Sequence, residues 1–166
     1  GYTLILGNSD EDPEREKKLI NMLLEEGVAG IILVPTNVDP LSYQPLFNSG
    51  IPCVVLDRQL PIENLDRVLV DGFSGAGMAV DYLVGLGHER IGYVGGLQHL
   101  SVMRQREEGY SAALQQHGIS LPGQYICQGN NRQDGGYQAV CQLLAGHAEC
   151  FTDGTYPAFN RWCILF

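Results

Sequence analysis

The fold class of this chain is decided by the stretch Gly85-Leu86-Gly87-His88-Glu89-Arg90-Ile91-Gly92-Tyr93-Val94-Gly95-Gly96. Gly87 is a residue of the kind that ends helices, Ile91 to Val94 form a short apolar strand, and a new helical pattern begins near Val102. A helix, a short apolar strand and another helix in this order are typical of a parallel sheet flanked by helices.

The same alternation continues on both sides of this stretch. Asp12-Pro13 is a good helix start and Gly27 a good helix end, and the apolar run 30–34 predicts a parallel strand buried on both faces. The remaining predicted strands are 2–6, 53–56, 68–70 and 125–127, and the remaining predicted helices begin at Asp39-Pro40 or span 74–86, 102–117 and 136–144. The sequence therefore predicts an α/β fold.

The pattern fails after Gly146. Residues 147–166 show no helical or strand period, and the chain ends on the apolar triplet Ile164-Leu165-Phe166, with nothing evident for it to pack against. This segment is interpreted as an aberrant or truncated tail.

Composition narrows the class of partner. The chain has 166 residues, of which 45% are hydrophobic and 17% charged, and no apolar run is long enough to span a bilayer. The formal net charge of −9 repels phosphate backbones, so DNA binding would need a segment not present here. Arg15, Lys17 and Lys18 alternate with Glu14 and Glu16, which is typical of a solvated helix face.

The five cysteines argue against a disulfide framework or a zinc site, because their number is odd and none forms a C-x-x-C pair. No cofactor or metal is expected. Reduced thiols suit a cytoplasmic protein, and no signal peptide is visible.

Polar side chains follow the predicted strands, where open parallel sheets bind ligands. They are Asn8, Ser9 and Asp10; Thr36 and Asn37; Asp57 and Arg58; Asp71; Gln98 to Ser101; and Gly129 to Arg132. Asp, Asn and Arg hydrogen-bond neutral polyols well, and Arg also takes anions bidentately. The alternative is that polar residues are simply common in loops.

Asp57 and Arg58 are the sharpest pair, because four apolar residues bring a carboxylate and a guanidinium to the sheet edge. Asp57 is expected to accept hydrogen bonds from ligand hydroxyls, but the pair could instead brace each other or a neighbouring loop. Arg106 is expected near the same kind of edge; otherwise it is a solvated helix arginine paired with Glu107 or Glu108.

Enzyme motifs are weak. The stretch Gly72-Phe73-Ser74-Gly75-Ala76-Gly77 matches neither the dinucleotide fingerprint nor the P-loop, and no G-x-S-x-G elbow occurs. The sequence therefore predicts a binding protein and not an enzyme.

The quoted stretch, followed by Arg106-Glu107-Glu108-Gly109-Tyr110, resembles the sensor domain of LacI/GalR-type transcriptional regulators. So do Gly30-Ile31-Ile32-Leu33-Val34-Pro35, Ile51-Pro52-Cys53-Val54-Val55-Leu56-Asp57-Arg58 and Val70-Asp71, in the same order as far as about Leu144. The resemblance implies a periplasmic-binding-protein-like fold of two lobes, each a parallel sheet flanked by helices, with a sugar or nucleoside-like effector in the cleft between them.

The resemblance also implies site residues. Asp57 and Arg106 correspond to effector contacts, Asn131 lies in a loop that often lines the pocket, and residues near Asp10, Thr36 and Val102 lie around it. Such regulators pair as homodimers, read an operator through an N-terminal helix-turn-helix, and couple effector binding to lobe closure.

The resemblance covers about half of a sensor module. It implies that a helix-turn-helix and a first strand and helix belong before Gly1, and that further strands of the second lobe are missing. The predicted domains are residues 1–88 as the N-terminal lobe, 89–146 as a partial C-terminal lobe, and 147–166 as the tail.

Three functions remain open from the sequence. The leucine-glycine-histidine motif at Leu86 to His88 favours a regulator's effector domain over a periplasmic sugar-binding transport protein of the same fold. An α/β enzyme is a distant third, since no catalytic constellation is visible.

Overall fold

The computed structural model describes residues 1–120, 123–145 and 162–165, with only the backbone given at 124 and 162–165. The chain divides into two compact units, Gly1–Val70 and Asp71–Phe166. This division lies before the predicted boundary between residues 88 and 89. The reason is that the helix Gly72–Gly85 packs closely against the helix Ser101–Gln116 of the second unit.

The first unit begins with a helix that its sequence caps well. Asp12 accepts hydrogen bonds from the backbone N–H groups of Glu14 and Arg15, and Pro13 occupies the first turn. The helices of this unit are α1 (Pro13–Glu25) and α2 (Gln44–Asn48), the latter preceded by a 3-10 turn at Pro40–Tyr43, and the strands are β1 (Ile31–Leu33), β2 (Cys53–Leu56) and β3 (Asp66–Val68). The third strand therefore begins earlier than the predicted 68–70.

The sheet of the first unit is parallel throughout, as predicted, and its strand order is β1-β2-β3. One face packs against the helical side through Ile31, Leu33 and Val55. The other face is open: Ile32 is 75% exposed, and Val68 is also exposed. The prediction that 30–34 is buried on both faces is therefore wrong, because β1 alternates between a covered and an uncovered side.

The predicted first strand is also wrong. Residues 2–6 have no regular secondary structure, and Tyr2 and Leu6 are almost fully exposed. An apolar run becomes a strand only when a neighbouring strand takes its hydrogen bonds. In the described part of the chain no strand pairs with these residues.

The second unit contains α3 (Gly72–Gly85), α4 (Ser101–Gln116), α5 (Gln133–Ala145), β4 (Arg90–Gly95), β5 (Ile126–Gln128) and β6 (Trp162–Leu165). Its sheet is parallel in the order β5-β4-β6. The central strand β4 is buried on both faces, with Ile91 and Tyr93 against α3 and α4 and Val94 against α5. This is the burial expected of a parallel strand.

The end of the chain departs from expectation. Trp162–Leu165 pair with Arg90, Ile91, Gly92 and Tyr93 of β4, so this part of the predicted tail is a strand and not a stub. The rest of the predicted tail, 147–161 and 166, lies outside the described residues. Within the described ranges no helix is both long and apolar enough to cross a membrane.

The close packing of α3 on α4 depends on one glycine. A Cβ added at Gly109 would lie 2.8 Å from the carbonyl carbon and 2.9 Å from the Cα of Phe73, and closer still to its carbonyl oxygen. A side chain at this position would force the two helices apart. Gly109 thus sets where α4, the helix of Arg106, lies against α3.

Candidate functional site

The carboxyl edge of the first unit's sheet collects most of the predicted residues. β1 runs into Pro35 and Thr36, and the neighbouring parallel strand β2 runs into Asp57 and Arg58. Because parallel strands end at the same edge, these loops are adjacent. The strand-end argument therefore placed them correctly.

Asp57 lies at the centre of a tight three-residue turn. Its φ is 66°, and the N–H of Arg58 donates to the carbonyl of Leu56 at 2.7 Å, which is a γ-turn of the rare positive-φ class. The N–H of Asp57 donates to Val68 at 2.9 Å, which ties the turn to β3. Within the described residues the carboxylate of Asp57 accepts no hydrogen bond, so it remains available to a ligand. Such backbone strain is a recognised mark of functional positions.

Arg58 behaves differently from its neighbour. Its Nη1 donates to Glu11 at 2.8 Å and to the carbonyl of Pro35 at 2.9 Å, and its Nη2 donates to the other Glu11 oxygen. The hydrogen bonds to Glu11 raise the pKa of Arg58 above its ordinary value. The Arg58 side chain is only 12% exposed. The geometry therefore supports the alternative interpretation, in which Arg58 braces the neighbouring loop that contains Glu11.

Thr36 is buried beneath this loop and not displayed on it. Its N–H donates to Oε1 of Glu16 at 3.0 Å, and its hydroxyl donates to Oε2 at 2.6 Å. The phenol of Tyr43 donates to Oε2 of Glu16 at 2.7 Å, and burial together with this hydrogen bond raises the pKa of Tyr43. We call these three residues the Glu16 network. Thr36 therefore has a supporting role, because its N–H and hydroxyl both donate to Glu16 inside the protein.

Asp10 precedes α1 in a strained loop. Both Asp10 (φ 52°) and Glu11 (φ 62°) have positive φ, a conformation that non-glycine residues seldom adopt. The Asp10 carboxylate lies 3.9 Å from Arg15. In this loop the carboxylate of Asp10 lies in solvent beside Arg15, and the carboxylate of Glu11 faces Arg58.

Arg106 is the predicted site cation of the second unit. It lies in the first half of α4, and its Cγ would be 3.2 Å from a Cβ at Gly72, so a glycine leaves room for its stem. Of the two partners that the alternative reading suggested, Glu107 and Glu108, the first accepts hydrogen bonds from Gln98 and Gln128. Among the residues that the structure describes, the half-buried Arg106 has no side-chain hydrogen bond or ion pair, so its guanidinium can bind an oxygen-rich ligand.

Glu107 joins three elements at the carboxyl edge of this unit's sheet. Its Oε2 accepts from Nε2 of Gln98 at 2.8 Å and from Nε2 of Gln128 at 2.9 Å. Gln98 follows β4, Gln128 ends β5, and Glu107 belongs to α4. We call this set the glutamine clamp. It fixes the backbone around Arg106.

Asn131 follows β5 with a φ of 58° and an exposed side chain. Its amide lies directly over Gly96, where an added Cβ would meet Cγ of Asn131 at 3.1 Å. Val102 is 2% exposed and so supports the helix instead of offering a surface. Asp71, another strand-end candidate, caps α3 by accepting from the N–H of Ser74 at 2.9 Å; its side-chain hydrogen bond with Ser74, together with this backbone contact, lowers its pKa.

A cavity of about 250 Å³ also opens beside α4. Gln98, one of the strand-end candidates, lines it, but none of the effector contacts that the resemblance implies does. Its lining residues are Gln98, Arg104, Glu107, Glu108 and Ser111.

Three carboxylates escaped the sequence reasoning: Glu11, Glu16 and Glu107. The assignment of Glu16 to a solvated face was wrong, since it is 6% exposed. A signal was present, because Glu16 lies four residues before Ile20 and hence on the buried stripe of α1. Nothing local distinguishes Glu11 or Glu107, whose partners are distant in sequence.

Residues 1–153 match the family described as periplasmic binding proteins and sugar binding domain of LacI family. The HTH-type transcriptional repressor PurR of Klebsiella pneumoniae (strain 342) is 32% identical over 148 residues, covering 87% of this chain and 43% of the repressor. The chain thus spans about two fifths of the length of such curated relatives.

Two solved structures extend the comparison. A sugar-binding transcriptional regulator of the LacI family from Escherichia coli, complexed with phosphate, has a TM-score of 0.68 at 27% identity, over 87% of this chain and 52% of that one. A complex of the transcriptional regulator CelR with cellobiose has a TM-score of 0.69 at 28% identity, over 80% of this chain and 41% of that one. Both agree with the parallel α/β units described above.

Proposed function

The chain belongs to the family of periplasmic binding proteins and LacI-type sugar-binding domains, and from this premise we propose that it is the effector-sensing part of a transcriptional regulator. The observation that carries the proposal is Asp57, whose carboxylate accepts no hydrogen bond within the described residues and is held on a strained turn, in a chain related to repressors. Operator binding and pairing into a homodimer belong to the whole regulator. We propose a cytoplasmic location on the same basis.

The proposed effector is a small polyhydroxylated molecule, a sugar or a nucleoside-like metabolite. Asp57 would accept hydrogen bonds from its hydroxyl groups, and Arg106 would donate to ring, hydroxyl or anionic oxygens. Asn131 offers both donors and an acceptor from an exposed position. The relatives in complex with phosphate and cellobiose bind ligands rich in oxygen, which agrees with this chemistry.

The remaining predicted residues take supporting roles in this proposal. Arg58 and Thr36 are engaged within the protein, and Val102 is buried. Asp10 contributes a negative charge near the same loop. A change of any of these four residues is expected to weaken binding indirectly, by moving the groups that touch the effector.

We propose a role in binding without catalysis. The Asp57 carboxylate and the Arg106 guanidinium are recognition groups, and the curated relatives are transcriptional repressors. A transport receptor of the same fold is less well supported for the same reason. Consumption of a sugar that depends on Asp57 would instead revive an enzymatic function.

The experiment is a thermal-shift screen of the full chain with D-ribose, cellobiose, fructose 1-phosphate and adenosine. A compound that binds the native state at a hundred times its Kd adds about 2.7 kcal/mol of stability and raises the Tm. Asp57→Ala and Arg106→Ala should abolish the shift. Asp66→Ala and Lys18→Ala, which alter exposed residues of the same charge, should leave it intact.

Two outcomes would count against the proposal. One is the absence of a shift with every compound. The other is a shift that survives both Asp57→Ala and Arg106→Ala, because the binding groups would then lie elsewhere.

A further inference from the structure

We infer that Glu16 is the positioning residue of the turn that carries Asp57, and that it acts through the peptide group between Pro35 and Thr36. This inference rests on the proposed function, because Asp57 is taken as a ligand contact. Glu16 itself is buried in the Glu16 network and touches no ligand.

The contacts form a continuous chain. Oε1 of Glu16 accepts from the N–H of Thr36 at 3.0 Å, and the carbonyl of Pro35 in the same peptide group accepts from Nη1 of Arg58 at 2.9 Å. Because a peptide group is planar and rigid, fixing its N–H also fixes the direction of its C=O. The orientation of Arg58, the residue after Asp57, is therefore linked to Glu16.

The surroundings of Glu16 make this link stiff. Its second oxygen accepts from the hydroxyls of Thr36 at 2.6 Å and Tyr43 at 2.7 Å, and all three residues are buried. A carboxylate removed from water with three donors has little freedom to shift, since any lost bond leaves a buried charge short of a partner. Pro35 is also fully buried, so the peptide cannot relax outward.

The chain of contacts ends at the strained turn. Arg58 is held on its far side by Glu11, which itself has positive φ. The guanidinium is thus fixed between the Pro35 carbonyl and the Glu11 carboxylate, and Asp57 is held in its γ-turn directly before it. An acceptor at position 16, more than a charge, is what the geometry requires.

A pair of near-isosteric variants separates these roles. Glu16→Gln keeps an oxygen for the N–H of Thr36, while its amide N–H groups can donate to the hydroxyls of Thr36 and Tyr43. Glu16→Met keeps the length of the side chain but removes the acceptor. Ile20→Ala alters the same buried stripe of α1 without touching the network, and so serves as a control for lost stability.

The first readout needs no ligand. The Nε–H of Arg58 is buried without a hydrogen-bond partner in the described structure, so its ¹⁵N–¹H resonance reports the position of the guanidinium. The resonance should stay in place in Glu16→Gln and Ile20→Ala and should shift or broaden in Glu16→Met. The amide of Thr36 should be protected from hydrogen exchange in the unmodified chain, and its ready exchange would overturn the inference even if Glu16→Met did not fold.

The second readout is the Kd for cellobiose or fructose 1-phosphate, whichever the unmodified chain binds. Glu16→Met should raise this Kd about tenfold, the scale on which outer supporting groups act in metal sites, and Glu16→Gln should raise it less than twofold. If Ile20→Ala raised it equally, the role of Glu16 would be structural only. If no compound bound the unmodified chain, the proposed function would fail while the resonance of Arg58 still decided the positioning role.

Discussion

Substitution of Gly109 by alanine should destabilise the second unit and displace Arg106. The new Cβ would lie 2.8 Å and 2.9 Å from backbone atoms of Phe73, whereas carbon atoms pack at about 3.5–4.0 Å, so α3 and α4 must separate by about 1 Å. Overpacking against rigid backbone lowers the free energy of unfolding by about 3 kcal/mol, while the higher helix propensity of alanine raises it by about 1 kcal/mol. The net loss of about 2 kcal/mol corresponds to a fall in Tm of about 10 °C.

The assay is thermal unfolding of the full chain by circular dichroism, with amide hydrogen exchange to locate the loss in α3 and α4. Gly75→Ala is the matched variant, since its Cβ would meet nothing within 4 Å on the exposed side of α3. It should raise stability by about 1 kcal/mol from propensity alone. If Gly109→Ala melted at or above the unmodified chain, the reasoning from backbone contact would be refuted.

Three further variants test the site and its support. Asp57→Gly should relieve the positive φ and raise stability by about 1 kcal/mol while abolishing the ligand-induced Tm shift; retained binding would contradict the role of the carboxylate. Tyr110→Phe should cost about 1–3 kcal/mol in urea unfolding, because its buried hydroxyl donates to the carbonyl of Ile91 at 2.6 Å, and an unchanged midpoint would show that this bond contributes nothing. Glu107→Met should remove the acceptor of the glutamine clamp, lower the free energy of unfolding by about 1 kcal/mol and weaken binding of cellobiose or fructose 1-phosphate. An unaltered affinity would show that the clamp does not support the binding site.

Local sequence patterns predicted most of the elements because their causes are local. The cap at Asp12, the proline after it and the apolar run of β4 each act within a few residues. The strand 2–6 failed for a different reason. Its residues have strand-like character, but pairing is a property of two segments, and no partner strand is present in the described structure.

The same division applies to the site. The position of Asp57 was predictable, since a parallel strand brings the residue after it to the carboxyl edge of the sheet. The fate of Arg58 was not, because its partners Glu11 and Pro35 are 47 and 23 residues away in sequence. Burial of Glu16 could have been predicted from its spacing to Ile20, but its charge pattern with neighbouring lysines pointed to solvent.

The γ-turn at Asp57 also bears on how the protein would drift under mutation. An aspartate codon becomes a glycine or an asparagine codon by a single base change, and both residues accept positive φ more readily than most. If Asp57 contacts the effector as proposed, alleles that fold well yet no longer recognise the effector are one mutational step away. Because such alleles stay folded, selection against unstable proteins would not remove them once selection for effector sensing is relaxed. The turn at Asp57 should therefore be the first place where related lineages lose their response to the effector.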